Sequence, residues 1–377
     1  MRIALVVHDI GKQRGHDRYA AELATALADR HEVHVFAGTC QDIDRTRITF
    51  HRVPAIRRPD VAKMITFFIG ATWILRKLDF DIVHTQGTCS LIQNVATAHF
   101  CQASWQEVYQ TLDHGDVSRL RQWYHLSVML LMNRLERFLF ARSRCVIALS
   151  DRVKHDLVRF YDIKPDHVET IYNGVNVDEF HPDNIRVFRD SVRAELNIAS
   201  DTFVLVFVGE FKRKGLRHAI EALSHLADND SVLLVVVQGE DPQSFEALAD
   251  RLGVLKNVRF MGHRTDVNRF YAMGDAVVFP TLYEPFGFTI TEAMSSGIPV
   301  ITSADAGAAE LIRDGEDALL LKDPRNAVDI AGKIQLLIDD EDLRIRLREN
   351  ARACVEKLSW HHFSTDVETI YERVQQV

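Results

Sequence analysis

The sequence predicts an α/β protein of two doubly wound, parallel-sheet domains facing each other across a cleft. Three observations predict it. Short β-branched runs alternate with helical patterns from end to end, the form of βα units on a parallel sheet. The series restarts half-way along, at Phe203-Val-Leu-Val-Phe-Val-Gly209. The 377 residues exceed the roughly 250–300 at which a single hydrophobic core stops growing. The opening run Met1-Arg-Ile-Ala-Leu-Val-Val7 is too short and too soon polar for a signal peptide, and it reads as a buried first strand. Further strands are expected near 33–37, 48–53, 81–84, 95–99 and 145–149, with helices over 118–141 and 151–161, the latter capped by Ser150. The second series places strands near 203–209, 232–237, 258–261, 276–280, 300–302 and 318–321. Between the two series, Asn173-Gly174 with Pro182 punctuates an exposed turn suited to a hinge. The expected domains are therefore 1–178 and 179–359, followed by a last helix over 360–377.

Composition bounds the function. A 47% hydrophobic and 26% charged chain is globular, and a net charge of -8 argues against the basic footprint of a nucleic-acid binder. The five cysteines are scattered without a C-x-x-C pair, which disfavours a disulfide framework and a zinc site and points to the cytoplasm. One stretch stands apart. Residues 61–78 are strongly apolar and flanked by Arg57, Arg58, Arg76 and Lys77, with Lys63 inside the run. The pattern fits a core helix or a helix docked on an anionic membrane surface, and not a spanning one.

The conspicuous local signal is Glu284-Pro-Phe-Gly-Phe-Thr-Ile-Thr-Glu292, between a strand ending near 280 and a helix closed by Gly297. Glu284 is then at the carboxyl end of a strand, where open α/β sheets bind ligands. Backbone N–H groups near Gly287, Phe288 and Thr289 would be open at the helix start. Two carboxylates can accept hydrogen bonds from vicinal hydroxyls, although Glu292 taken alone fits an ordinary solvated helix face better. A second signal is Lys212-Arg213-Lys214 before a helix start, where cations oppose the helix dipole, as in a solvated basic loop or in a loop that awaits a missing anion. A diphosphate would supply it, through the fork of Arg213 and the point charge of Lys214. Weaker signals are the Gly11-to-Gly15 loop after the first strand and His99 at the end of a strand. Asp228-Asn-Asp230 reads as a surface turn, and the pairs His31/His34 and His361/His362 lack carboxylate or cysteine companions at ligand spacing, so no metal site is expected.

Taken together, these motifs resemble glycosyltransferase family 4, retaining enzymes of the GT-B fold with two Rossmann-like domains, over nearly the whole chain. Glu284 to Glu292 resembles the family's Glu-x7-Glu motif, Arg213-Lys214-Gly215 its diphosphate loop, and Asn173-Gly-Val175 with Asp178, Phe180 and Pro182 its inter-domain signature. The stretch 208–252 is similar to bacterial lipopolysaccharide-core glucosyltransferases. The resemblance implies that Glu284 and His99 hold donor-sugar hydroxyls, Glu292 the ribose, Arg213 and Lys214 the diphosphate, and Gly15 the phosphate from the first domain. It places His263 near the base and Phe286, Gly287, Phe288 and Thr289 around the donor. It further implies a UDP-sugar rather than a GDP-sugar donor, a glycan, glycolipid or small-molecule acceptor, no cofactor or metal, and a last helix, 360–377, that crosses back onto the first domain; the cysteine pattern adds a cytoplasmic location, and segment 57–78, where it docks rather than packs in the core, a peripheral place on the membrane. Arg14, where a second glycine is usual, and Gln86, where a histidine is common, depart from the pattern. A sugar-nucleotide epimerase or hydrolase, or a non-catalytic sugar-nucleotide binder, is the alternative on the same fold.

Overall fold

The computed structural model describes the chain except residues 13, 14, 57, 59, 113–118, 229, 238 and 377, with the backbone only at 60 and 119–122. It divides into two compact units, Met1–Gly174 with Trp360–Val377, and Val175–Ser359. Both are parallel sheets layered with helices.

The first unit holds β1 (Arg2–Val6), β2 (Asp9–Ile10), α1 (Gly15–Leu27), β3 (Glu32–Ala37), β4 (Thr39–Cys40), β5 (Ile48–Arg52), α2 (Asp60–Leu75), β6 (Ile82–Gln86), β7 (Val95–Ala98), α3 (Gln102–Gln110), α4 (Arg119–Arg142), β8 (Cys145–Ala148), α5 (Asp151–Tyr161) and β9 (Val168–Thr170). Its seven-stranded sheet runs β5-β3-β1-β6-β7-β8-β9, all pairs parallel. The order reverses between β1 and β6, so the carboxyl ends of these two strands flank the crevice such sheets use for ligands. β1, β6 and β7 are buried on both faces; β7 is accordingly a run of small and apolar residues, while β6 carries the buried polar His84, Thr85 and Gln86. The Ser150 hydroxyl accepts from the Val153 N–H at 3.2 Å and caps α5, as its position before Asp151 suggests.

The closing helix, Trp360–Gln375, packs on this unit through Phe363, Val367, Ile370 and Tyr371. Gly174 makes that approach possible, since a Cβ there would lie 2.7 Å from the backbone nitrogen of Trp360. The Tyr371 hydroxyl meets His84 Nδ1 at 2.7 Å, while His84 Nε2 bonds the Thr97 hydroxyl at 2.7 Å. His84 is thus a fully buried core residue, and burial pushes its imidazole down to about 3. Another buried polar group sits under α4. The Glu136 carboxylate accepts from the Tyr161 hydroxyl at 2.6 Å and the Gln102 N–H at 3.0 Å, and burial raises its carboxyl to about 7. A raised folded-state value means that stability falls as pH rises from 4.5 through 7, because ionising the buried group opposes folding. Glu136→Gln should therefore raise the melting temperature relative to wild type more at pH 8 than at pH 5, read by calorimetry.

The second unit holds α6 (Asp183–Glu195), β10 (Phe203–Val208), α7 (Leu216–Leu223), β11 (Val232–Val237), α8 (Gln243–Arg251), β12 (Val258–Phe260), α9 (Val267–Met273), β13 (Ala276–Phe279), α10 (Phe288–Ser295), β14 (Val300–Ser303), β15 (Leu319–Leu321), α11 (Ala327–Asp339) and α12 (Glu341–Val355). Its six strands run β12-β11-β10-β13-β14-β15. Here the order reverses between β10 and β13. The all-apolar β10 and β11 are sandwiched in one core with Ile220 and Leu223 of α7 and Ile330 and Ile334 of α11.

Candidate active site

In the second unit, the two segments singled out by charge follow the two strands at the sheet's switch point. β10 hands over to the loop 209–215, and β13 to the loop carrying Glu284. Backbone hydrogen bonds join the loops, with Leu282 N–H donating to Arg213 O at 2.9 Å. Gly209 takes φ +124° and Gly215 φ +77°, conformations that favour glycine. A Cβ on Gly209 would run into the Lys214 side chain at 2.6 Å, so the lysine lies back across the loop towards β13, its Nζ 4.7 Å from the Phe279 ring centre.

The outcome is one charged cluster. Glu284 Oε2 lies 3.4 Å from Lys214 Nζ and 3.5 Å from Arg213 Nη1. Arg213 also donates to Tyr283 O at 2.8 Å and pairs with Glu210 at 3.1 Å. Glu284 is only 8% exposed. Burial alone would raise its carboxyl, but Lys214 and Arg213 hold it below the usual carboxylate value. Lys214 goes the other way: its desolvation and the neighbouring Arg213 outweigh Glu284 and pull the ammonium below its usual value. The conflict of cations at a helix start is therefore met in part, within the chain itself, by one carboxylate contributed from the next strand. Nothing in the local sequence signals that pairing, and the motifs alone assign Glu284 and the two cations to different parts of a ligand.

The loop behind Glu284 is held by backbone bonds. Glu284 O accepts from Gly307 N–H at 2.9 Å and Phe286 O from Ala308 N–H at 2.7 Å. Gly287 caps α10 at φ +113°. The Phe286 side chain is buried, and the Thr289 hydroxyl points to Val208 O at 3.4 Å, so both residues support the loop with their side chains and can offer a ligand only backbone. Phe288 is half-buried. Glu292 lies on α10, 9% exposed, with the Tyr271 hydroxyl 3.4 Å from its Oε2. It is not the solvated helix face its spacing allowed. His263 is exposed, three residues past the end of β12.

In the first unit, Gly15 opens α1, exposed, after the carboxyl end of β1; Arg14 lies outside the described residues. His99, just past β7, bonds Gln86 Oε1 through Nε2 at 2.7 Å and lies against His16 with ring centres 4.2 Å apart and the planes tilted by 56°. Burial, then the neighbouring His16 and His84, lower its imidazole well below the usual value, so it is neutral. His8 Nδ1, His16 Nε2 and Gln86 Nε2 are buried without a hydrogen-bond partner among the described residues. Sequence reading passes over His16, although it directly follows Gly15.

The remaining expectations divide. Asp230 N–H bonds Asp228 Oδ1 at 3.1 Å in a turn before β11. His31 and His34 do have carboxylate companions, contrary to the sequence spacing: Glu368 of the closing helix reaches His31 at 2.9 Å, and Glu32 reaches His34 at 2.8 Å. The described residues contain no group of three or more His, Cys, Asp or Glu arranged to hold a metal ion. The apolar stretch has a buried face and an exposed one. Phe67, Ala71 and Leu75 of α2 enter the core, while Ile65, Ile69 and Trp73 are exposed and Lys77 sits 3.3 Å over the Trp73 ring. Lys63 is drawn inward to Asp9; Arg57 lies outside the described residues. A second exposed apolar face goes unnoticed in the sequence: Trp123, Leu130, Leu131 and Phe138 of α4, interleaved with exposed Arg134 and Arg137. No helix among the described residues is long and apolar enough to cross a membrane.

Family models match both units: Glycosyltransferase Family 4 over residues 14–179 and Glycosyl transferases group 1 over 188–353. The crystal structure of WaaG, a glycosyltransferase involved in lipopolysaccharide biosynthesis, superposes with a TM-score of 0.83 at 25% identity, over 98% of this chain and 99% of that one. The chain belongs to the GT-B glycosyltransferases. In sequence, the lipopolysaccharide glucosyltransferase WaaG of Escherichia coli strain K12 is 31% identical over 214 residues, 56% of this chain and 57% of WaaG. The D-inositol 3-phosphate glycosyltransferase of Corynebacterium aurimucosum is 29% identical over 311 residues, 79% of this chain and 68% of its own length. HepE of Anabaena, solved with UDP-glucose, shares the fold at 20% identity, with a TM-score of 0.77 over 99% of this GT-B chain.

Proposed function

We propose that this glycosyltransferase is a retaining, metal-independent hexosyltransferase that uses a UDP-sugar and glycosylates a glycan or glycolipid of the cell envelope. The observation that carries the reading is the buried Glu284 held between Arg213 and Lys214 at the β10/β13 switch point. A carboxylate kept ionised accepts hydrogen bonds from sugar hydroxyls, and two adjacent cations stabilise a diphosphate. In the proposed reaction the bond from the anomeric carbon to the diphosphate oxygen breaks, the acceptor oxygen bonds the same face, and its proton passes to the leaving oxygen. Arg213, Lys214 and the N–H groups of Gly287, Phe288 and Thr289 stabilise the departing charge. Glu292 takes the ribose, His263 lies near the base, and Gly15 and neutral His99 of the first unit serve the phosphate and the sugar's far hydroxyl. The uridine choice is supported by the likeness to HepE, solved with UDP-glucose, and the acceptor class by that to WaaG.

The test is an incubation with UDP-glucose, UDP-N-acetylglucosamine and GDP-mannose, with and without saccharide and glycolipid acceptors, in buffer containing EDTA. Acceptor-dependent release of UDP with a retained anomer by NMR is expected. An isomerised sugar nucleotide, an inverted product, or activity abolished by EDTA would each overturn the corresponding part.

We further propose that the enzyme works at the cytoplasmic membrane face, with segment 57–78 on anionic lipid; the exposed Ile65, Ile69 and Trp73 beside Arg76 and Lys77 support this. The protein should float with vesicles containing phosphatidylglycerol and not with neutral ones. Each basic residue near the surface contributes about 1 kcal/mol, so Arg76→Gln with Lys77→Gln should weaken binding roughly tenfold or more. Equal flotation with both lipids would exclude an electrostatic dock.

A further inference from the structure

The second unit has a cavity away from the Glu284 cluster. It measures about 320 Å³ and is lined by Ile185 and Arg189 of α6, Gly274 and Asp275 before β13, Gly297, Ile298 and Pro299 before β14, and Glu341, Arg344 and Arg348 of α12. These are the amino ends of β13 and β14. The Glu284 cluster follows the carboxyl end of β13, so the two places are separated by at least one strand length, roughly 13 Å at about 3.3 Å per residue.

Positive charge is in excess here. Asp275 is already committed: it accepts from Arg189 Nη2 at 2.5 Å, from Arg193 Nη2 at 2.8 Å and from the Val204 N–H at 2.8 Å. Glu341 is exposed at the rim. Arg344 uses Nη1 on Leu337 O and Ile338 O, the carbonyls that end α11. Arg348 uses only Nε, on Gly297 O at 2.9 Å, and no acceptor among the described residues meets its two Nη groups. It is half-buried, and burial, followed by repulsion from Arg189 and Arg344, lowers its affinity for a proton. Gathering like charges in a partly desolvated pocket costs stability unless an anion joins them. A guanidinium with an open edge is the group best matched to the geometry of a phosphate.

We propose that this cavity is a second anion site, which binds a small phosphate monoester through the Nη edge of Arg348, with Arg344 and Arg189 beside it and the ligand's carbon skeleton against Ile185, Ile298 and Pro299. The volume is at the lower end of the usual range of about 300–1,000 Å³ for small-molecule sites, which suits a phosphorylated metabolite of a few carbons and not a nucleotide sugar. Because α6 and α12 both contribute arginines, the bound anion ties these two helices together.

The full-length enzyme is titrated calorimetrically with inorganic phosphate and with glycerol 3-phosphate at constant ionic strength, as wild type, Arg348→Gln, Arg344→Gln and Arg213→Gln. Saturable binding should persist in Arg213→Gln, whose charge belongs to the other site. It should weaken at least about tenfold in Arg348→Gln and in Arg344→Gln, the loss of a charged hydrogen bond. Melting temperatures without ligand show whether each variant is folded, and Arg344→Gln stands in if Arg348→Gln is not. Glycerol 3-phosphate should bind more tightly than inorganic phosphate; equal affinity would overturn the monoester assignment and leave a free-phosphate site. Absence of saturable binding, or binding lost in Arg213→Gln and unchanged in both α12 variants, would overturn the site.

Discussion

Glu284→Ala should reduce transferase turnover by about 10²-fold or more and destabilise the second unit by about 3–5 kcal/mol. Both effects come from one geometry. The carboxylate pairs with Lys214 at 3.4 Å and is one of two carboxylates paired with Arg213, so its removal leaves buried positive charge without compensation. Glu284→Gln separates the causes. It keeps the size and the hydrogen-bonding oxygen but not the charge, and should recover less than half of the lost stability if charge dominates. Acid titration gives an independent check. The carboxyl is depressed below 4.5 in the folded state, so its stabilising contribution is complete above 4.5 and is lost as pH falls through the lowered folded value. The stability gap between wild type and Glu284→Gln should therefore close as pH is taken below 4.5. Glu292→Ala should instead raise the donor KM and leave turnover nearly intact. Wild-type turnover in Glu284→Ala would remove the cluster from the mechanism.

What was legible in the sequence follows from what leaves a local trace. Val232-Leu-Leu-Val-Val-Val237 is apolar throughout because β11 is buried on both faces, and such a run can hardly be anything else. β9 has only Val-Glu-Thr, and β2 and β4 have two residues each; pairing alone makes them strands, and no periodicity fits in so few residues. The basic loop betrayed an electrostatic conflict, but not its answer, because Glu284 lies 71 positions from Arg213 and only the adjacency of β10 and β13 brings them together. Residues 61–78 forced a choice between core and surface that the helix does not make: positions 67, 71 and 75 face inward and 65, 69 and 73 outward. The buried side chain of Phe286 was likewise invisible, since a phenylalanine at a helix start reads the same whether it lines a ligand or supports the loop.

Gly215→Ala should be the most damaging change of a single methyl group in the second unit. The added Cβ would lie 2.0 Å from the carbonyl oxygen of Pro280 and 2.9 Å from its carbon, both backbone atoms that cannot swing aside. The residue is also at φ +77°, where a side chain costs about 1–2 kcal/mol before any clash. Overpacking adds about 1–3 kcal/mol, so a loss of about 2–5 kcal/mol is expected. At roughly 2–4 °C per kcal/mol for a domain of this size, the melting temperature should fall by about 5–20 °C. Gly315 is the control. It has the same φ of +77° but nothing within 4 Å of where a Cβ would stand, so Gly315→Ala should show the conformational cost alone. The difference between the two variants measures how tightly the loop after β10 is pressed on the end of β13. That contact also sets Arg213 and Lys214 against Glu284, so donor affinity in Gly215→Ala should drop even at temperatures where the variant is fully folded. A Gly215→Ala enzyme with wild-type donor KM would show that the charged cluster tolerates displacement of its loop, and that the close approach of the two strand ends serves stability alone.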